Sequence, residues 1–299
     1  MASSVPNHYG QQFASTVQLL LQQKGSVLMP GVTVGGGHKG EQVSPVDQYA
    51  PVVANTVVGR YNPMPNTEPT NNRRWVLPVD KDLNQLIDSF DMLRLLVDPK
   101  SKYVENARNA IGRAMDEEII DKCFGTNQTG KSGTTAQAFG TNQSVSVIQG
   151  AAAASNLTLA KLKYAKRILR ANNVNFAEEE IYCAINAANY DSLMAEIEVV
   201  NSDFNGGRSP LYEDKLEQYL GIKFINTELL TTGTDDQSGT STMTPLWCKS
   251  GLYLGMWDSM TTDISKRNDL QGVPWQAYLK ATFGATRLEE AKVVRIWTR

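Results

Sequence analysis

The sequence predicts an α+β fold, with helices and antiparallel strands intermingled along 299 residues. One sign is a stretch of helical periodicity from Lys100 to Phe124, long for a globular domain. Another is a set of short β-branched or aromatic runs, densest towards the C-terminus. The third is their order, which lacks the repeating strand–helix–strand rhythm of a parallel sheet.

Residues 10–24 (GQQFASTVQLLLQQK) put Phe13, Val17, Leu20 and Leu21 on one face of a predicted short helix, with Gly25 as its stop. Residues 30–48 then run through Gly and Pro, and the triple glycine Gly35, Gly36 and Gly37 predicts a flexible, extended arm. PVVANTVVGRY (51–61) is rich in β-branched side chains and predicts a strand; RRWVLPV (73–79) predicts its return. Between them NPMPNTEPTNN (62–72) carries prolines and asparagines that block regular structure. The result is a long hairpin with an irregular tip. A lone two-stranded ribbon is marginal in water, so this one must lie on its own domain or on a neighbouring subunit.

Asp98 and Pro99 then open the long helix as N-cap and first helical residue. Val104, Ala107, Ile111, Ala114, Met115, Ile119 and Cys123 keep helical spacing along it, and Gly125 ends it. Arg113 with Glu117 and Glu118 with Lys122 predict i,i+4 ion pairs. At ~1.5 Å per residue the rod is about 37 Å long, a natural strut across a domain.

Residues 125–156 hold almost no large apolar side chains and predict a surface loop. Thr158 caps a second helix with Leu159, Leu162, Ala165, Ile168 and Leu169 inward, and Lys161, Lys163, Lys166, Arg167 and Arg170 on a solvated basic face. IYCAI (181–185) predicts a buried strand, residues 187–196 a helix, 201–210 a polar loop, LGIKFIN (220–226) a strand and 231–242 another loop. WCKSGLYLGMW, VPWQAYLKATFGATRL and AKVVRIWT complete the chain as strand-like runs.

Residues 125–132, GTNQTGKS, match the phosphate-binding pattern G-x-x-x-x-G-K-[ST], in which Gly130, Lys131 and Ser132 would hold phosphates and magnesium. That chemistry needs a buried strand leading in and a helix starting at the Lys-Ser. Here a long helix leads in, and GTTAQAFGTNQSV, a poor helix former, follows. The match is expected to be a chance one. The acidic neighbours Glu178, Glu179 and Glu180, Asp235 and Asp236, and Glu289 and Glu290 read as solvated faces rather than a catalytic pair.

Composition narrows the function further. A hydrophobic fraction of 41% with 20% charged residues supports a folded core and not a disordered chain. A net charge of −2 with scattered Lys and Arg gives no basic stripe to grip nucleic acid through its phosphates. The three cysteines, Cys123, Cys183 and Cys248, lie far apart and predict reduced thiols; the two histidines, His8 and His38, are too few for a histidine zinc site. No cofactor and no metal is expected. No stretch approaches the ~20 apolar residues of a membrane span. No signal peptide is visible, so a soluble protein made in the cytoplasm is expected. Trp75, Trp247, Trp257, Trp275 and Trp297 are expected in core or interface packing.

The order of arm, long hairpin, strut helix and mixed region resembles the major capsid proteins of tailed bacteriophages, with the Hong Kong-type capsid fold. Three stretches are similar in wording: NRRWVLPVDKDLNQLIDSFDMLR (72–94), DPKSKYVENARNAIGRAMDEEIID (98–121) and FGATRLEEAKVVRI (283–296). The resemblance covers nearly the whole chain. It implies an N-terminal arm at 1–48, an extended hairpin loop at 49–97, the spine helix and peripheral domain at 98–156, an axial domain at 157–250 and return strands at 251–299. It also implies a shell subunit that self-assembles into pentamers and hexamers around double-stranded DNA, without binding DNA sequence-specifically. A separate scaffolding protein is implied because no long leader precedes the arm helix; portal and decoration proteins are further partners, and no membrane is involved. Some relatives crosslink through a Lys and an Asn, and nothing in this sequence identifies such a pair. The residues expected at contacts between subunits are Arg60, Tyr61, Met64, Arg73, Arg74 and Trp75. A tail-tube protein is the alternative, although a stack of β-rich rings has no need of such a strut; a nucleotide hydrolase using Gly130, Lys131 and Ser132 is a more distant one.

Overall fold

The computed structural model describes residues 20–57, 59–61, 63–87, 100–200, 216 and 218–299. Four strands come first: β1 (Thr33–Gly36), β2 (Asp47–Tyr49), β3 (Asn71–Trp75) and β4 (Val79–Ile87). The long helix α1 (Lys100–Phe124) follows over the predicted span, and its N-cap at Asp98 and Pro99 lies outside the described residues. The segment after it forms short strands, β5 (Asn127–Thr129), β6 (Thr135–Gln137) and β7 (Ser144–Val145), where a plain loop was expected. Then come α2 (Leu159–Ala171), β8 (Ile181–Ile185), α3 (Ala187–Met194) and the short α4 (Ile197–Val200). The predicted loop at 201–210 lies outside the described residues. The chain closes with β9 (Gln218–Tyr219), β10 (Ile222–Asn226), β11 (Thr232–Thr234), β12 (Thr240–Cys248), β13 (Leu252–Lys266), β14 (Trp275–Arg287) and β15 (Val293–Thr298).

Two cores organise these elements. In one, the stripe of Ala107, Ile111, Met115, Ile119 and Cys123 on α1 packs on the sheet β1-β13-β14-β4, against Leu252, Leu254, Leu279 and Phe283. In the other, Leu162, Ala165 and Leu169 of α2 pack on the sheet β7-β15-β12-β8-β10-β9, against Ile181, Cys183, Ile222, Leu246 and Val294. Each fully buried Leu or Ile contributes about 1.5–3 kcal/mol against the entropy of ordering the chain, so these two clusters supply the main apolar stabilisation of the described residues. A third, small sheet, β2-β3-β5-β6, joins the predicted hairpin to the segment after α1.

The two sheets under α1 and α2 are mixed, where antiparallel strands were expected: β1 runs parallel to β13, β8 to β10 and β7 to β15, while the small sheet β2-β3-β5-β6 is antiparallel throughout. Helix α3 lies between β8 and β10 in the chain, so a strand–helix crossover is present after all. The loop predicted at 231–242 is instead the β11–β12 hairpin, because the Asp235 carboxylate accepts from the backbone N–H of Gln237 and Gly239 and builds a tight turn.

Lys161 departs from its predicted place on a solvated face. It is fully buried, and its Nζ donates to the carbonyl oxygens of Ser155 (2.5 Å) and Trp297 (2.9 Å). Burial lowers its pKa to about 8. The rest of the basic face stays outward, with Arg167 over Tyr164 and Lys166 and Arg170 over Phe176. All three cysteines are buried free thiols, and burial pushes Cys123 and Cys248 up to about 12 and Cys183 higher still. Among the described residues no helix is long and apolar enough to cross a membrane, and no group of His, Cys, Asp or Glu is placed to hold a metal ion.

Candidate assembly surface

The chain before the hairpin is bound to the molecule more firmly than its glycines predicted. The expected helix at 10–24 lies mostly outside the described residues, and its described end, residues 20–24, is not helical. Residues 22–28 cross α1 instead. Buried Asp116 accepts from Gln23 Nε2 (2.5 Å), Ser26 Oγ (2.5 Å) and the backbone N–H of Val27 (2.9 Å) and Leu28 (3.2 Å). Asn109 Oδ1 accepts from Gly25 N, and Arg113 donates to Gln22 Oε1 where pairing with Glu117 was expected. Gly112 makes the crossing possible: a Cβ there would sit 2.4 Å from the carbonyl carbon of Gly25. Asn109, Gly112 and Asp116 share one face of α1 at spacing i, i+3, i+7, a polar stripe beside the apolar one. Further on, β1 joins β13 and the Tyr253 hydroxyl occupies the space above Gly35, where a Cβ would sit 1.7 Å from it. His38 meets that hydroxyl at 2.8 Å and Trp257 Nε1 donates to Gly40 O. Close approach explains Gly35 and Gly112, whereas Gly37 and Gly40 stand in open space at positive φ, the left-handed region that glycine enters freely.

The hairpin itself has a firm base and a bare remainder. At the base, β2 pairs with β3, and Ala50 N donates to Thr70 O at 2.9 Å. Arg73 grips Asp47 through Nε (2.5 Å) and Nη2 (2.9 Å), which raises the arginine pKa and lowers that of the acid, chiefly through the hydrogen bond. Both side chains are about half exposed, so solvent screens the pair and its geometry matters more than its energy.

Arg74 points the other way. It is 7% exposed and donates through Nη1 to Glu290 Oε1 at 3.1 Å and through Nε to Gln48 Oε1 at 3.2 Å. Loss of water lowers its pKa. The other oxygen of Glu290 takes Nε of the fully buried Arg287, whose Nη1 donates to the carbonyls of Lys122 (3.2 Å), Cys123 (2.8 Å) and Gly125 (3.2 Å). Those carbonyls are the free acceptors at the C-terminus of α1, so a cation is the fitting cap. One glutamate thereby ties the hairpin base to the end of the strut. Trp75 also serves the base: its Nε1 donates to Gly130 O at 2.7 Å.

That carbonyl belongs to the phosphate-loop look-alike. GTNQTGKS supplies β5 and the start of the turn into β6; β5 pairs with β3, and Lys131 and Ser132 lie in that turn. No helix starts there to face a phosphate.

Beyond the base the chain opens out. Residues 51–57, predicted as a strand, pair with nothing among the described residues. The partner stretch, rich in Pro and Asn, offers no ladder to join. A hydrogen bond from Asn55 Nδ2 to Thr67 Oγ1 at 2.8 Å crosses the loop. Val53, Val57, Tyr61 and Met64 are 83%, 87%, 101% and 94% exposed. So many large apolar groups exposed along one segment mark a surface that expects a partner. Of the six residues singled out in the sequence, Arg60, Tyr61 and Met64 are presented to solvent, Arg73 is held at the rim, and Arg74 and Trp75 are anchors turned inward. Glu290, read from the sequence as part of a solvated face, is instead an anchor for Arg74 and Arg287; Arg287 and Asp116 were not singled out, although the 109–112–116 stripe was a legible signal for the latter.

The family model for phage capsid proteins matches residues 5–298. The chain belongs to that family. Phage capsid structures share its fold at low sequence identity. The cyanophage P-SCSP1u capsid is 17% identical, with 100% of this chain and 95% of that chain covered and a TM-score of 0.76. The capsid of cyanophage Pam1 is 12% identical, covering 99% of this chain and 98% of that one, also at 0.76. The acid-stable capsid of Helicobacter pylori bacteriophage KHP30 is 11% identical, covering 99% and 97%, at 0.73. No curated protein sequence matches the chain. As a phage capsid protein it is a structural subunit of the head, and the bare loop is read in that light.

Proposed function

We propose that this capsid subunit closes into an icosahedral phage head of pentamers and hexamers around double-stranded DNA, and that its loop at 50–70 is completed by an adjoining copy. The observation that carries the reading is the loop itself: a β-branched and aromatic segment, exposed to water, on a base locked by Asp47, Arg73, Arg74 and Glu290. A rigid base aims the loop, and a bare remainder adapts to the slightly different neighbours that five- and six-fold positions impose. In this reading residues 1–48 act as the arm, 49–97 as the extended loop, 98–156 as the spine helix and peripheral domain, 157–250 as the axial domain, and 251–299 as return strands of both. A net charge of −2 suits a container that must release its DNA. A separate scaffolding protein, a portal and decoration proteins are the expected partners, and host cytoplasm is the expected place of synthesis. No catalytic role is assigned.

Electron microscopy of the full chain, expressed alone and with its scaffolding protein, tests the proposal. Closed shells with pentameric and hexameric clusters are expected. A particle that stays monomeric under every assembly condition overturns it.

A further inference from the structure

In the sheet β1-β13-β14-β4, Leu279, Ala281 and Phe283 of β14 turn inward to the core with α1, so Tyr278, Lys280 and Thr282 turn outward. The register sets a partner on either side of each. Asp82 on β4 and Thr261 on β13 flank Lys280, Asp80 and Asp258 flank Thr282, and Asn84 and Asp263 flank Tyr278. Four carboxylates thus share an open sheet face with one lysine. Their hydrogen bonds run to hydroxyls: Asp80 accepts from Thr282 (2.7 Å), Asp258 from Thr261 (2.9 Å) and Asp263 from Ser265 (3.1 Å). Among the described residues none of the four is ion-paired.

Helix α2 carries the opposite surface. Lys163, Lys166, Arg167 and Arg170 lie on one face at spacing i, i+3, i+4, i+7, and none meets a carboxylate among the described residues. Aromatic rings hold three of them in place: Arg167 lies 4.4 Å from the Tyr164 ring, and Lys166 and Arg170 lie 4.9 Å and 5.3 Å from that of Phe176. Side chains already fixed lose little freedom when they meet a partner. The dimensions agree as well. Seven residues of helix extend about 10 Å, and two strand spacings, from β4 across β14 to β13, also extend about 10 Å.

We propose that the basic face of α2 on one copy docks on the acidic outer face of β4, β14 and β13 on an adjacent copy. Both faces occur on every subunit, so the contact is head-to-tail and can propagate around a ring. One exposed ion pair contributes little, but several in register fix the orientation of neighbours and repel an acidic face from another acidic face. This inference rests on the shell-subunit reading and adds to it a contact separate from the loop at 50–70.

The test uses full-length chains. Shells are assembled from equal parts of heavy-nitrogen-labelled and unlabelled protein and treated with a carbodiimide, which joins a carboxylate to an amine in contact as an amide with loss of water. Peptides that link Lys163 of one isotopic form to Asp80, Asp82, Asp258 or Asp263 of the other are expected in the mass spectrum. Shells that contain no such peptide overturn the contact and leave the shell reading standing; absence of shells from the parent chain overturns the shell reading itself. In parallel, two paired reversals, Arg167→Glu with Arg170→Glu and Asp80→Lys with Asp82→Lys, are made in chains that melt within about 3 °C of the parent. Each pair should lower shell yield about tenfold or more, and a chain that carries all four exchanges should recover most of it. Parental yields, a loss confined to one of the two faces, or no recovery in the combined chain each overturn the pairing.

Discussion

Residues 181–185 (IYCAI) and 51–57 (PVVANTV) are similar in character, and the molecule treats them in opposite ways. Every residue of the first is buried in β8, between β10 on one side and β12 on the other, under α2. The second pairs with nothing described and exposes Val53 by 83% and Val57 by 87%. Strand propensity does not separate them. What separates them is whether the rest of the chain supplies a partner: β8 has two strand neighbours and a helix, whereas 51–57 faces a Pro- and Asn-rich stretch that cannot form a ladder. A strand-like segment without a partner among the described residues is what the proposed contact with a second copy would complete.

Several changes break or sharpen this contrast. The largest effect is expected at the joint between the two regions. Glu290→Ala removes the carboxylate that neutralises the buried Arg287 and Arg74, leaving them only their neutral acceptors, and should destabilise the folded subunit by about 3–5 kcal/mol in denaturant titration. Within the buried region, Ile185→Ala should cost about 2–5 kcal/mol by cavity formation, read in the same assay. Lys161 provides a pH signature for that region. Its folded pKa of about 8 lies below the ordinary lysine value, so the unfolded chain binds the extra proton between about pH 8 and 10.4 and this group favours folding more as pH rises. The buried thiols act oppositely above about pH 8.5, because the unfolded chain ionises first. A comparison with Lys161→Met isolates the lysine. The stability of the parent relative to the variant should rise by about 3 kcal/mol across that window; a flat difference would show that the ammonium is not penalised by burial. The smallest effect on the isolated subunit belongs to the bare loop: Val53→Ala should shift stability by less than about 0.5 kcal/mol while reducing assembly.

Much of this was legible in the residues. The span of α1, the Thr158 cap of α2 and the buried β8 follow from periodicity and capping chemistry, which are local. Partnerships between distant segments were not. Lys161 reads as one of five cations on a helix face, and only the fold brings Ser155 and Trp297 carbonyls to its Nζ. Gly35 reads as a flexible link until Tyr253, far along the chain, is seen above it. Residues 51–61 read as a strand because β-branched composition reports suitability for a sheet, not possession of a neighbour. For the candidate surface, Arg60, Tyr61 and Met64 were identified by composition and position. The inward turn of Arg74 and Trp75 depends on Glu290 and Gly130, which no local pattern connects to them.

The decisive measurement concerns the bare loop. A triple variant, Val52→Ser, Val53→Ser and Val57→Ser, is compared with the parent by thermal melting and by sedimentation of assembled material. A melting temperature within about 3 °C of the parent, together with a loss of shells of about tenfold or more, is the expected result. Shells at the parental yield would contradict the view that a second copy covers these side chains.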